Sequence, residues 1–325
     1  MAKAKHTAKH TIGWIGTGRM GFQLATRLLE AGHKVAVYNR TRAKAQPLAK
    51  LGATLVDSPA ALADRDIVFT IVGQDPDFIA VTTGPGGVLT RKDAAPKILI
   101  DISTVSDDVS LGVRAAAAKR GCDLLAAPIS GNPKVVKAGK GSVVVSGPKA
   151  AYDAARPYLA TFGRGVAYVG GKEQARLVKI CHNVMLGVVA ECLAEVSVLA
   201  SAHGIPRHAF LAFFNDSVMG SEFTRYKSPA YVNLDFAATF TPPLLRKDLE
   251  LGLTAARKRD VPMPVTALVR EILTTMIGNG YKDQDFATFI TFLAKGAGLK
   301  LKPENVAVDD GLSAADAKKG RTKAA

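Results

Sequence analysis

Ile12-Gly13-Trp14-Ile15-Gly16-Thr17-Gly18-Arg19-Met20-Gly21 decides how the front half of this chain folds. A short apolar run ends on Gly16-x-Gly18-x-x-Gly21, and a helix-like segment follows at once. That spacing lets a pyrophosphate approach bare backbone. Gly16 permits the tight turn, Gly18 removes the side chain that would block the phosphates, and Gly21 lets helix and strand pack closely. The phosphates would rest on unpaired N–H groups at a helix N-terminus, where the dipole favours negative charge. Residues 16–21, with Thr17, Arg19 and Met20 among them, are therefore the expected cradle of a dinucleotide. GxGxxG alone is a weak signal; its context strengthens it.

Phe22 to Ala31 carries Leu24, Ala25, Leu28 and Leu29 at helical spacing and stops at Gly32. Lys34 to Tyr38 then reads as a short β-branched strand. In an NAD site the end of this second strand usually holds Asp or Glu for the ribose hydroxyls. Here Asn39, Arg40 and Thr41 stand there, followed by Arg42. With no carboxylate to repel it and guanidinium donors to bind it, a 2′-phosphate is the better guest. NADP(H) is thus the expected cofactor and NAD(H) the alternative, against the plainer explanation of a solvated basic turn.

The chain has 325 residues, 48% of them hydrophobic, enough for one large or two ordinary domains with sizeable cores. Cys122, Cys181 and Cys192 show no metal or redox spacing, and their odd number argues against a disulfide framework. A reducing, cytoplasmic compartment fits that usage. No uninterrupted apolar run approaches the roughly 20 residues that span a bilayer, and residues 1–10 lack the apolar core of a signal peptide. Neither a membrane nor a metal is expected as a partner, the histidines being scattered. The formal net charge of +15 raises the question of nucleic acid. Residues 1–10 alone hold three lysines and no acid, the remaining excess is spread along the chain, and basic stretches interleaved with aromatics are missing. A basic body attracts anionic cofactors and substrates equally well, so nucleic acid is not the expected partner.

Asp66–Val72 and Lys97–Ile102 resemble buried parallel strands, with helical connectors at 60–63 and 107–119; Cys122–Ala126 and Ser142–Ser146 are two further strand candidates. Strands alternating with helices predict an α/β Rossmann-type doubly wound sheet over 11–171. Its ligand loops leave the carboxyl ends of the strands, where Val72-Gly73 and Ser103-Thr104 lie. From Lys172 to Ala202 there is neither proline nor strand signal. A helix of about 45 Å is expected there, joining two domains. Only helical patterns follow, over 206–215, 244–259, 264–278 and 285–294. They predict an all-α domain over 203–298, with disordered tails over 1–10 and 299–325. Lys179, His182 and Asn183 fall at i, i+3 and i+4 of the long helix, on one face. Their neighbours Ile180, Val184, Leu186 and Val188 are apolar. Desolvation disfavours an ammonium, which makes Lys179 a candidate for proton transfer and Asn183 a candidate to hold the amine or a hydroxyl. A surface lysine beside a structural asparagine has the same spacing.

Five motifs, taken in order, resemble the β-hydroxyacid dehydrogenases: Gly16–Gly21, Asp101-Ile102-Ser103-Thr104, Ala127-Pro128-Ile129-Ser130-Gly131, Lys179-x-x-x-Asn183 and Lys247-Asp248-Leu249. The resemblance covers about residues 11–298. It implies hydride transfer between the nicotinamide and a carbonyl carbon, with Lys179 as general acid/base and Ser130 with Gly131 holding a substrate carboxylate. It also implies Thr104 and Lys247 at the nicotinamide end, and Asn39-Arg40-Thr41 as the family's NADP-preferring version. Pairing through the helical part, as a dimer or tetramer, is implied too.

Departures from the family pattern concern the substrate, a small anionic carboxylate. Asn132 replaces a glycine against which substrate would pack, and Lys134, Lys137 and Lys140 add positive charge nearby. Val72-Gly73 stands where Leu-Pro is usual, and His182 replaces an asparagine, with a chance of touching substrate. Residues 137–142 fail as a phosphate-binding P-loop, since its first glycine would fall at Lys134. Two other classes remain open: a non-catalytic nucleotide-sensing or chromatin-like binding module, and an imine reductase. Relatives of both kinds generally lack the lysine, so Lys179 argues for carbonyl chemistry.

Overall fold

The computed structural model describes residues 10–312. The chain divides into two compact units, one ending at Lys179 and the other starting at Ile180.

The first unit is built on a parallel sheet. Its strands are β1 (Ile12–Ile15), β2 (Val35–Tyr38), β3 (Thr54–Leu55), β4 (Ile67–Thr70), β5 (Ile98–Asp101) and β6 (Asp123–Ala126). They lie in the order β3-β2-β1-β4-β5-β6, and all their pairings are parallel. β1, β4 and β5 are buried along their whole length, as a sheet covered on both faces requires, and so they read as continuous apolar runs. The order reverses between β1 and β4. A crevice opens at the carboxyl ends of strands at such a switch point, and Gly16 and Val72 leave the two strands that flank it. Trp14 is fully buried, stacks on Phe69 and meets Phe162 edge-on. Its indole N–H donates to Gly16 O at 2.7 Å, fixing the turn from inside the core.

A second, three-stranded sheet follows: β7 (Ile129–Ser130), β8 (Gly141–Val145) and β9 (Gly163–Tyr168), with β7 antiparallel and β9 parallel to β8. β3, β7 and β9 carried no signal in the sequence. Two are two-residue strands, and β9 is a largely exposed Gly163-Arg164-Gly165-Val166-Ala167-Tyr168 segment that buries too little to show a period.

The expected long helix spans Gln174–Ala202, about 44 Å. Its residues up to Lys179 belong to the first unit and those from Ile180 onward to the second, where Ala190, Leu193, Ala194 and Val198 enter the core. By length and composition it could cross a bilayer, which the count of uninterrupted apolar residues had not suggested. Half of its most apolar stretch is buried inside the protein, as in a core helix.

Around it the second unit packs helices Arg207–Asp216, Glu222–Asn233, Pro242–Arg257, Pro264–Gly278 and Phe289–Gly296. Glu222–Asn233 went unforeseen. It opens with a capping box of Ser221 and Thr224, holds Pro229, and buries Thr224, Lys227 and Ser228 beside Tyr231 and Val232. Its inner face is polar, so no apolar stripe marks it. The tail expected from 299 is also corrected, for residues 299–312. Leu299, Leu301, Val306 and Val308 pack on the helical core, and Glu304 accepts from the backbone N–H groups of Arg207 and His208 at 2.7 and 3.0 Å. Polar bonds to a folded surface hold this stretch where composition alone suggested a loose end. Residues 1–9 and 313–325 lie outside the described residues; His10, placed in the expected tail, contacts the Tyr158 hydroxyl at 2.9 Å.

Lys227 and Asp285 form a buried pair, with Nζ 2.5 Å from Oδ1. The other carboxylate oxygen accepts from Thr239 N, Thr239 Oγ1 and Phe240 N, so the pair clamps the loop 236–240. Burial alone would raise the Asp285 carboxyl, but the Lys227 ammonium holds it below the ordinary carboxylate range. A depressed folded pKa stabilises above the unfolded value and is lost as pH falls through the folded one. Lys227→Met strands the carboxylate and is expected to cost about 3–5 kcal/mol at pH 7 in urea unfolding. The deficit should shrink as pH falls and be least below the ordinary carboxylate range of about 4, once the wild-type Asp285 is protonated as well; a pH-independent deficit would count against the clamp.

Candidate active site

The cradle forms as the spacing predicts. Gly18 begins the helix Arg19–Glu30 with no side-chain cap, leaving its first N–H groups to a ligand. Gly16 has φ +99°, and a Cβ there would lie 2.0 Å from Ile71 O; a Cβ on Gly21 would lie 2.2 Å from Gly16 O. Gly18 faces open space. Thr17 N donates to Asn39 Oδ1 at 2.8 Å, and Asn39 Nδ2 donates to Thr41 O at 2.8 Å. Asn39 therefore ties the second strand end to the phosphate loop. Thr17 Oγ1 is buried without a hydrogen-bond partner among the described residues, and a buried orphan hydroxyl calls for an acceptor. Open space over Gly18 and that orphan both fit a pyrophosphate. Arg40, largely exposed, pairs with Asp77 at 2.9 Å, and Arg42 pairs with Asp57. Both guanidiniums stand just past the end of β2, each with a carboxylate on hand. Arg19 is exposed and Met20 half-buried on the first helical turn.

The loops after β4 and β5 are knitted together. Val72 N donates to Ser103 Oγ at 2.9 Å, and Ser103 Oγ donates to Asp101 Oδ1 at 2.7 Å. Gly73 is exposed and Thr104 half-buried beside these bonds. Ser130 closes β7, and Gly131 takes φ +130°, a conformation that favours glycine. The Asn132 side-chain oxygen accepts from Val135 N at 3.0 Å and caps the short helix Pro133–Lys137. Lys134 and Lys137 lie exposed on that helix. Lys179 is half-buried in the long helix.

In the second unit Asn183 and Asp248 are buried, and Asn183 Nδ2 donates to Asp248 Oδ2 at 2.6 Å. Asn183 Oδ1 faces His182 Nδ1 at 2.9 Å, so the histidine donates there and its tautomer is set by its neighbour. Lys247 Nζ lies 3.1 Å from Asp248 Oδ1. Helix Pro242–Arg257 reaches the long helix through small residues: a Cβ on Gly252 would meet Val184 Cγ2 at 2.5 Å. Asp248 holds the Asn183 amide, a contact that spacing had not picked out. The motif Lys247-Asp248-Leu249 contained this residue but gave it no role. Glu191 is buried in this unit, its carboxyl pushed up by burial and then by Glu195. Among the described residues no group of three His, Cys, Asp or Glu could hold a metal.

The model of the NAD binding domain of 6-phosphogluconate dehydrogenase matches residues 11–170, and that of the NAD-binding region of NADP-dependent 3-hydroxyisobutyrate dehydrogenase matches 174–293. A 2-(hydroxymethyl)glutarate dehydrogenase of Eubacterium barkeri is 31% identical over 281 residues, 86% of this chain and 93% of that protein. Among solved structures, Psf3 in complex with NADP+ and 2-OPP is 27% identical with a TM-score of 0.77, covering 87% of this chain and 100% of its own. An imine reductase from Myxococcus stipitatus in complex with NADP+ shares the fold, at 24% identity and a TM-score of 0.54, covering 87% of this chain and 99% of its own. Two family models in tandem, and a relative matched nearly end to end, put the chain among the NAD(P)-dependent β-hydroxyacid dehydrogenases.

Proposed function

We propose that this protein interconverts a small β-hydroxyacid and its semialdehyde or keto form, using NADP(H) in preference to NAD(H). The observation that carries this is Lys179, one turn past a helix start that Arg176 bonds to Asp101 and Ser103 at the end of β5, where Val72 N is also tied to Ser103. When bound, the nicotinamide supplies or takes up the hydride at its C4 position. In reduction the Lys179 ammonium gives a proton to the developing alkoxide; in oxidation the neutral amine removes the hydroxyl proton. Ser130 and the backbone at Gly131 hold a substrate carboxylate, which aims the reacting carbon. Asn183, its amide turned by Asp248, orients the hydroxyl. Thr104 and Lys247 serve the nicotinamide end, and His182 lines the substrate side. The chain acts in the cytoplasm as a dimer or tetramer. Imine reduction on this fold is the second possibility, and Lys179 speaks against it.

The test is turnover of a semialdehyde panel with NADPH and with NADH. Asn39→Asp places a carboxylate at the end of the second strand, keeps the acceptor for Thr17 N and gives up the amide donor to Thr41 O. It is expected to shift kcat/KM from NADPH toward NADH by about 10–100-fold, because the carboxylate repels a 2′-phosphate and accepts from the ribose hydroxyls of NADH. An unchanged cofactor ratio would refute the preference.

A further inference from the structure

Arg176 stands three residues before Lys179, and the proposed reaction has no use for a cation at its position. It is nonetheless 3% exposed, and its Nη2 donates at 2.8 Å to Asp101, which is 0% exposed. Burying two charges costs several kcal/mol unless both are fully bonded, and here they are. Arg176 Nη1 donates to Ser103 O at 3.1 Å and Nε to Glu173 Oε2 at 3.1 Å. Glu173 also accepts from Ser110 Oγ at 2.8 Å and from Arg114 Nε. Asp101 accepts from Thr70 Oγ1 at 2.7 Å and from Ser103 Oγ, while its backbone oxygen accepts from Ala127 N at 2.7 Å.

Asp101 therefore ties together the strand ends that lead to Val72-Gly73 and Ser103-Thr104 through its carboxylate, and the one that leads to Ala127–Gly131 through its backbone oxygen. The planar guanidinium grips the Asp101 carboxylate and the Ser103 carbonyl at once, a geometry that fixes both translation and rotation. Lys179 lies about 4.5 Å further along the same helix axis and about 60° round it. A slip or turn of the helix start moves its amine directly. We propose that Arg176, through Asp101 and with Glu173 behind it, is a positioning residue that sets the register of Lys179 against the nicotinamide-side loops. This rests on Lys179 as the acid/base group. Arg176 itself touches neither substrate nor cofactor.

Arg176→Lys keeps the charge and loses the fork. Misplacing a catalytic group by about 1 Å costs on the order of a hundredfold in rate. The variant is expected to lose about that much kcat, with NADPH Kd changed by less than about threefold. Binding is read by energy transfer from Trp14, the sole tryptophan. In a Lys179→Met background, where there is no amine to misplace, Arg176→Lys should change the residual rate by less than about threefold. Glu173→Gln, a milder loosening, should cost about tenfold in kcat, and it decides the matter if Arg176→Lys does not fold. Folded variants with wild-type kcat, an equal fall in NADPH affinity, or the full loss repeated in the Lys179→Met background would each overturn the proposal. If Lys179→Met itself runs at the wild-type rate, the acid/base assignment falls first. If Lys179→Met is slow while Arg176→Lys and Glu173→Gln are fast, only the positioning role falls.

Discussion

Lys179→Met is expected to lower kcat for semialdehyde reduction by about a thousandfold, within the 10²–10⁴ that a positioned acid or base contributes. Methionine keeps the length and apolar stem of lysine, so packing in a half-buried site is retained and thermal unfolding should move little. NADPH affinity should hold as well, because the cradle at residues 16–21 is formed by other elements. The loss belongs in kcat and kcat/KM together, the pattern of an interaction made in the transition state. One limb of the pH–rate profile should vanish with the amine. Equal rates for wild type and variant would remove Lys179 from the chemistry and, with it, the proposed function.

The three cradle glycines should separate into two kinds of damage. At Gly16 a side chain meets backbone at 2.0 Å in a left-handed conformation, and at Gly21 it meets backbone at 2.2 Å. Overpacking and backbone strain each cost about 1–3 kcal/mol, so Gly16→Ala and Gly21→Ala should destabilise by about 2–5 kcal/mol and lose cofactor with it. Gly18→Ala meets nothing within 4 Å. It should melt within a degree or two of wild type yet bind NADPH about tenfold or more weakly, because its methyl occupies the phosphate approach. Differential scanning calorimetry beside a Trp14 titration tells the two apart. A Gly18→Ala protein that binds NADPH normally would mean the pyrophosphate lies elsewhere.

Where a segment buries one apolar stripe or a continuous apolar run, it was legible in the residues. The helix Pro264–Gly278 falls where the periodicity put it, and β4 and β5 fall inside the expected runs. Segments whose inner face is polar were invisible, because burial without hydrophobicity leaves no period. Glu222–Asn233, with Lys227 and Ser228 inside, is one. The ordered stretch 299–312 was missed for another reason: Leu299, Leu301, Val306 and Val308 pack on the core at no regular spacing, and Glu304 and bonds between Asn233 and Val306 hold the chain between them. In the site, the glycines, Lys179 and Asn183 declared themselves by spacing, but the groups that hold them did not.

Local chain chemistry alone determined that a dinucleotide cradle forms at residues 16–21, since turn, phosphate approach and helix packing are each settled within one short peptide. It also determined that Lys179 and Asn183 share a helical face, because 3.6 residues per turn leaves no alternative. Only the tertiary structure decided which side chains orient them. Asp101 and Arg176 are 75 residues apart, and Asn183 and Asp248 65. Such pairings depend on where folded elements come to rest, and no local pattern encodes a partner at that separation.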